Sequence, residues 1–66
     1  MSIRAYFSPA LRYYYEHELA VTGDRKWSRR AAVHYLEKQL KWWARWNPLF
    51  MREIWLEVRS ISRGLA

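Results

Sequence analysis

Glycine and proline occur only four times in this chain, and three of the four stand beside a residue that caps helices: Ser8-Pro9, Gly23-Asp24 and Asn47-Pro48. Ser, Asp and Asn side chains accept from the free N–H groups of a first helical turn, and proline just inside a helix lacks an N–H that would be unpaired anyway. Glycine takes the left-handed conformation that ends a helix. Pro48 also disfavours helical geometry at Asn47, so the chain should break and restart there. With Gly64 as the final stop, this punctuation predicts helices over residues 9–21, 25–46 and 48–63 in one domain spanning residues 1–66. Ahead of them Ile3, Ala5 and Phe7 alternate with Arg4 and Tyr6, the pattern of an extended arm too short to define a strand.

Helical periodicity assigns faces. At about 100° per residue, Ala31, Ala32, Leu36, Leu40, Trp43 and their neighbours fill an apolar arc of roughly 220° on the central helix. An arc that wide fits a helix flanked on two sides, so the expectation is an all-α, small three-helix domain with a long central amphipathic helix, completed by dimerisation. The first helix offers Leu11, Tyr15 and Leu19 as its core stripe. The last offers Phe50, Met51, Ile54, Trp55, Val58 and Ile61, opposite a ridge of Arg52, Arg59 and Arg63.

Within "QLKWWARW", residues 39–46, the same wheel separates the three indoles. Trp43 falls at the centre of the apolar arc and reads as core. Trp42 and Trp46 lie one turn apart on its edge with Tyr35, bordered by Lys38 and Arg45. A 66-residue chain buries only about 60% of the surface its unfolded form exposes, so five Trp, five Tyr and two Phe exceed what its core can hold. The run Tyr13-Tyr14-Tyr15 fans across about 200° and cannot all face inward.

The net charge of +6 is concentrated in the middle of the chain. Between residues 24 and 47, Arg25, Lys26, Arg29, Arg30, Lys38, Lys41 and Arg45 face only Asp24 and Glu37, leaving +5. A stripe of this kind points to a polyanion or an acidic protein surface, or simply keeps an amphipathic helix solvated.

Catalytic chemistry finds little to work with. Asp24 is the only aspartate, His17 and His34 are the only histidines, and the two glycines are too far apart for a phosphate-binding loop. Glu16, His17 and Glu18 project about 100° apart on a helix and cannot converge on one ion. The absence of cysteine removes disulfides and Cys-containing zinc sites, and leans toward the cytoplasm. No secretory signal is expected, because Pro9 and Arg12 interrupt the N-terminal apolar run. No stretch of 18 uncharged apolar residues exists to span a membrane. The expectation is a protein that is not an enzyme and carries no cofactor or metal.

The aromatic surplus then favours a protein partner. The partner-facing residues are Tyr14, Tyr35, Lys38, Trp42, Arg45 and Trp46, of types that include those enriched at binding hot spots. The corresponding activity is that of an adaptor or inhibitor, in the style of the small stand-alone proteins that mobile elements encode, with a homodimer as its simplest form. The alternative is DNA or RNA bound through Arg25, Lys26, Arg29, Arg30, Lys38, Lys41 and Arg45, with exposed aromatics stacking on unpaired bases. A central helix of about twenty residues does not suit a helix-turn-helix. A lesser alternative is a membrane-surface amphipathic helix with indoles at the polar boundary.

Overall fold

A computed structural model describes residues 3–64, apart from the Trp43 side chain. The chain is all-α: α1 (Ile3–Thr22), α2 (Arg25–Glu37), the short α3 (Trp42–Arg45) and α4 (Pro48–Gly64). Thr22 meets Ser28 (Oγ1···Oγ 3.5 Å) beside the first turn and Tyr35 meets Glu18 (3.0 Å), so α1 and α2 run antiparallel. Phe7 meets Phe50 and Tyr15 meets Ser62, so α1 and α4 run in the same sense.

Two of the three punctuation marks act as expected. Gly23 adopts φ 71° and donates to the Leu19 carbonyl at 2.8 Å, closing α1. Asp24 caps α2 by accepting from the Trp27 N–H at 3.0 Å. Asn47 caps α4, its Oδ1 accepting from the N–H groups of Leu49 (3.0 Å) and Phe50 (3.2 Å), with Pro48 at the first helical position.

Ser8-Pro9 misleads. α1 starts at Ile3, so Pro9 lies inside the helix and no extended arm forms. Local chemistry opposes this, because an interior proline removes a helical donor. Tertiary contact supports it: Phe7 stacks edge-on against Phe50 with centroids 5.6 Å apart, and Arg4 Nε donates to Glu57 Oε1 at 3.1 Å. Phe7, Leu11, Tyr15 and Leu19 form one stripe at four-residue spacing through the proline, and this continuous apolar face outweighs the cap signal.

The expected central helix over residues 25–46 is also corrected. α2 ends at Glu37, and Gln39 and Leu40 bond three residues back, to Leu36 (3.0 Å) and Glu37 (3.1 Å). Lys41 is extended (φ −67°, ψ 151°) before α3 begins. Nothing local explains the break, since Lys38-Gln39-Leu40-Lys41 are all good helix formers. The redirected chain packs Leu40 against the core and buries Ala44, while Trp42, Arg45 and Trp46 face outward.

The core is aliphatic with one aromatic: Leu11 and Tyr15 of α1, Ala32, Val33 and Leu36 of α2, and Ile54, Val58 and Ile61 of α4. α1, not the second helix, is the element against which both others pack most extensively, so the 220° arc on α2 is only partly core. The placement of Trp43 in the core concerns a side chain outside the described residues. One polar group crosses the core end, where fully buried Tyr15 Oη shares a 2.9 Å hydrogen bond with Ser62 Oγ and Arg29 Nη1 donates to the same oxygen at 3.2 Å. Among the described residues no buried side-chain polar atom lacks a partner.

Candidate functional site

All four tryptophans whose side chains are described are exposed: Trp55 by 42%, Trp27 by 54%, Trp42 by 73% and Trp46 by 81%. Single exposed apolar residues are ordinary, but indoles held together in water are not. Trp46 N–H donates to the Trp42 carbonyl at 3.2 Å, so the pair sits one helical turn apart on the same side of α3. Lys41 and Arg45 are exposed beside them, and Leu49, just past the Asn47 cap, is exposed too. Among the described residues, no hydrogen bond, ion pair or ring contact engages the Trp42, Arg45 or Trp46 side chains. What builds this surface is the break at 38–41 behind it and the Asn47 cap in front, which fix a single turn between two anchored helices.

The remaining partner-facing candidates gather elsewhere, on the seam between α1 and α2. Tyr14 and Tyr35 stack tilted with centroids 5.4 Å apart, and Lys38 Nζ lies 5.9 Å from the Tyr35 ring. Gln39 Nε2 donates to Tyr14 Oη, and Tyr35 Oη donates to Glu18 Oε1 at 3.0 Å. That bond, and then the carboxylate's charge, hold the Tyr35 phenol above its ordinary pKa, because ionisation would break the bond and set two anions together. Tyr35 therefore does not continue the Trp42–Trp46 edge as it would on one straight helix. The structure brings Tyr14, Tyr35 and Lys38 together, and Trp42, Arg45 and Trp46 separately on α3.

The seven central cations are likewise divided. Arg25, Lys26, Arg29 and Arg30 open α2, Lys38 and Lys41 fall in the turn, and Arg45 is on α3, so no continuous ridge forms. Arg25 and Lys26 sit in the first turn of α2, where positive charge opposes the helix dipole. Arg29 reaches across to Ser62. Trp27, Arg30, His34 and Trp55, together with the acids Glu18 and Glu37, line a shallow, open depression of about 470 Å³.

One group was misplaced by the wheel. Trp55 does not lie opposite the arginine ridge of α4 but beside it, lining a groove with Arg52, Leu56, Arg59 and, from α2, Arg29. The signal for it was present in the spacing, with Arg52 three residues before Trp55 and Arg59 four after. Among the described residues no cluster of three or more His, Cys, Asp or Glu side chains occurs that would hold a metal ion. Glu16 and His17 are exposed, while Glu18 is engaged by Tyr35. No described helix is long and apolar enough to cross a membrane. Comparison of the chain with protein-family models, with curated proteins and with solved structures finds no match.

Proposed function

We propose that this chain is a non-catalytic binding protein that docks on another protein through the α3 turn and acts there as an adaptor or inhibitor. The observation that carries the reading is the pair Trp42 and Trp46, 73% and 81% exposed on one side of a turn anchored at both ends. Indoles with a neighbouring arginine supply large contact area at low entropic cost, which is the composition of hot spots. Leu49 is exposed three residues after Trp46, and exposed Lys41 and Arg45 each precede one of the indoles in the sequence, favouring a partner with an apolar pocket edged by acids. A second copy of the chain is the simplest partner. A membrane-surface role is less well supported, because α4 uses its apolar stripe in the core and α3 has four residues, short of the long free amphipathic face such binding needs.

The test is capture from native-host extract on immobilised wild-type chain and on a Trp42→Ala, Trp46→Ala variant, each with and without nuclease, scored by mass spectrometry. The expected result is one or more proteins held by the wild type, lost by the folded variant and indifferent to nuclease. A retained set identical for both chains would refute the α3 site, and a set lost on nuclease treatment would replace the protein reading with a nucleic-acid one. Light scattering on both chains tests for the dimer.

A further inference from the structure

We propose that the groove between α2 and α4 binds single-stranded nucleic acid, with Trp55 stacking on a base and Arg29, Arg52 and Arg59 holding the adjoining phosphates. This site shares no residue with the α3 surface. The groove is open and small, about 260 Å³, and its lining is three arginines, one indole and Leu56, with no acid among them. Arg52, Trp55, Leu56 and Arg59 follow the three- and four-residue steps that put side chains on one helix face. The two arginines thus flank the indole about one turn on either side, and the row is about 10 Å long at 1.5 Å per residue.

Arg29 faces them from α2. Its Nη1 is tied to Ser62 Oγ, which is itself held by buried Tyr15, so the guanidinium is fixed in place while its other N–H groups stay free of carboxylates. The one ion pair among the described residues joins Arg4 to Glu57 on the α1 side. Among the described residues no acid lines the groove or pairs with Arg29, Arg52 or Arg59.

Two of these cations, Arg29 and Arg59, belong to like-charge pairs that burden the folded chain. Arg25 and Arg29, Lys26 and Arg30, and Arg59 and Arg63 are like charges four residues apart on helices, and the first two pairs also oppose the α2 dipole. Local rules broken without internal compensation are expected where an external ligand supplies it, here a polyanion. The indole between the arginines selects among polyanions. An acidic peptide offers a flat ring for Trp55 only where it happens to carry an aromatic residue, and in a duplex the bases are already stacked; a single strand offers a phosphate chain with an open base face at every step.

The probe is a fluorescent oligothymidylate of about 15 nucleotides, within the site sizes usual for single-strand binders, titrated with the full chain. Neutralising three phosphates gives a log–log salt slope of roughly −2 for single strands, so affinity should fall about 20-fold between about 50 and 200 mM salt. Arg52→Gln with Arg59→Gln should flatten the slope to roughly −0.7, a loss of about threefold over the same range. Trp55→Ala should weaken binding about tenfold or more, and Trp55→Phe, which keeps a stacking face, should restore most of it. Helical content and melting of each variant are measured alongside, and the arginine variant and Trp55→Phe carry the test if Trp55→Ala unfolds. Trp42→Ala with Trp46→Ala should leave oligonucleotide binding unchanged, so the failure of one site is distinguishable from the failure of the other. Absence of binding at about 50 mM salt overturns the proposal. So does polyglutamate displacing the oligonucleotide at equal charge, a same-length duplex binding as tightly, or folded Trp55 and arginine variants that bind as the wild type does.

Discussion

Trp42→Ala and Trp46→Ala separate a binding surface from a structural one, because the two roles predict different free energies. A fully buried tryptophan removes about 250 Å² from water and its truncation to alanine costs about 3–5 kcal/mol. Trp42 is 73% exposed and Trp46 81%, so only about a quarter and a fifth of each is covered. That is about 70 and 50 Å², or about 1–2 kcal/mol each at about 25 cal/mol/Å², part of which the alanine retains. A chain of 66 residues has about 3–10 kcal/mol of stability in all, so each single variant should stay folded. Urea unfolding followed by circular dichroism should show a modestly lower midpoint at an unchanged slope. Loss of a hot-spot contact costs about 2 kcal/mol or more, so partner or self-association should weaken about 30-fold or more. The diagnostic result is therefore large loss of association with small loss of stability. A stability loss above about 3 kcal/mol in either variant would show that the indole is packed, and the reasoning from its exposure would fail. Wild-type association by both variants would leave the exposed pair without a binding role.

Tyr15→Phe should cost about 0.5–1.5 kcal/mol, because it removes the Tyr15–Ser62 hydrogen bond while Ser62 Oγ keeps the one that Arg29 donates, whereas combining it with Ser62→Ala should cost less than the two single changes summed; urea midpoints of the four chains check this. Pro9→Ala should raise the melting temperature, since an exposed interior position of α1 then gains a helix former in place of the strongest helix breaker; a lower one would show that the proline shapes α1. The Tyr35 phenol titrates above its ordinary value in the folded chain, so its bond to Glu18 contributes fully below about pH 10 and is lost as pH rises through the folded value. Tyr35→Phe should abolish that part of the alkaline decline in unfolding midpoint, leaving a shallower pH profile than the wild type.

What could be read from residue order follows how far each cause reaches along the chain. Asn47 caps through its own side chain two and three residues on, and Gly23 turns by its own backbone freedom, so both helix boundaries were legible. Ser8-Pro9 carries the same local chemistry, yet Phe50 and Glu57, more than forty residues away, hold the preceding turns helical. The break at 38–41 has no local mark at all, since four helix formers occupy it, and it follows from where Leu40 and Ala44 can be buried. Its effect on the candidate site is selective. Trp42 and Trp46 lie beyond the break and keep their one-turn spacing, so that pair was predictable; Tyr35 lies before it and belongs instead with Tyr14 and Glu18. The α4 side of the groove at Trp55 is written in the spacing of Arg52, Trp55 and Arg59, but the place of Arg29 opposite them needs the register of α2 against α4, which no periodicity within one helix contains.

The distribution of aromatic residues argues that packing does not account for Trp42 and Trp46. A chain this short should use its largest side chains to exclude water, yet the buried side chains of the described core are Leu, Ile, Val and Ala with one tyrosine, and that tyrosine also holds Ser62. Every described tryptophan is at least 42% exposed. If packing alone decided, exchanging Trp42 and Trp46 for polar helix formers would cost little stability and improve solubility, and the proposed docking role gives their presence on the surface a reason. The same reasoning applies to charge, since seven central cations stand against two acids and, among the described residues, their side chains make contacts only from Arg29 to Ser62 and from Lys38 to Tyr35. Of the places where aromatic and cationic side chains meet, α3 and the α2–α4 groove are the two proposed to bind, and their exposed side chains are the ones whose replacement should abolish binding.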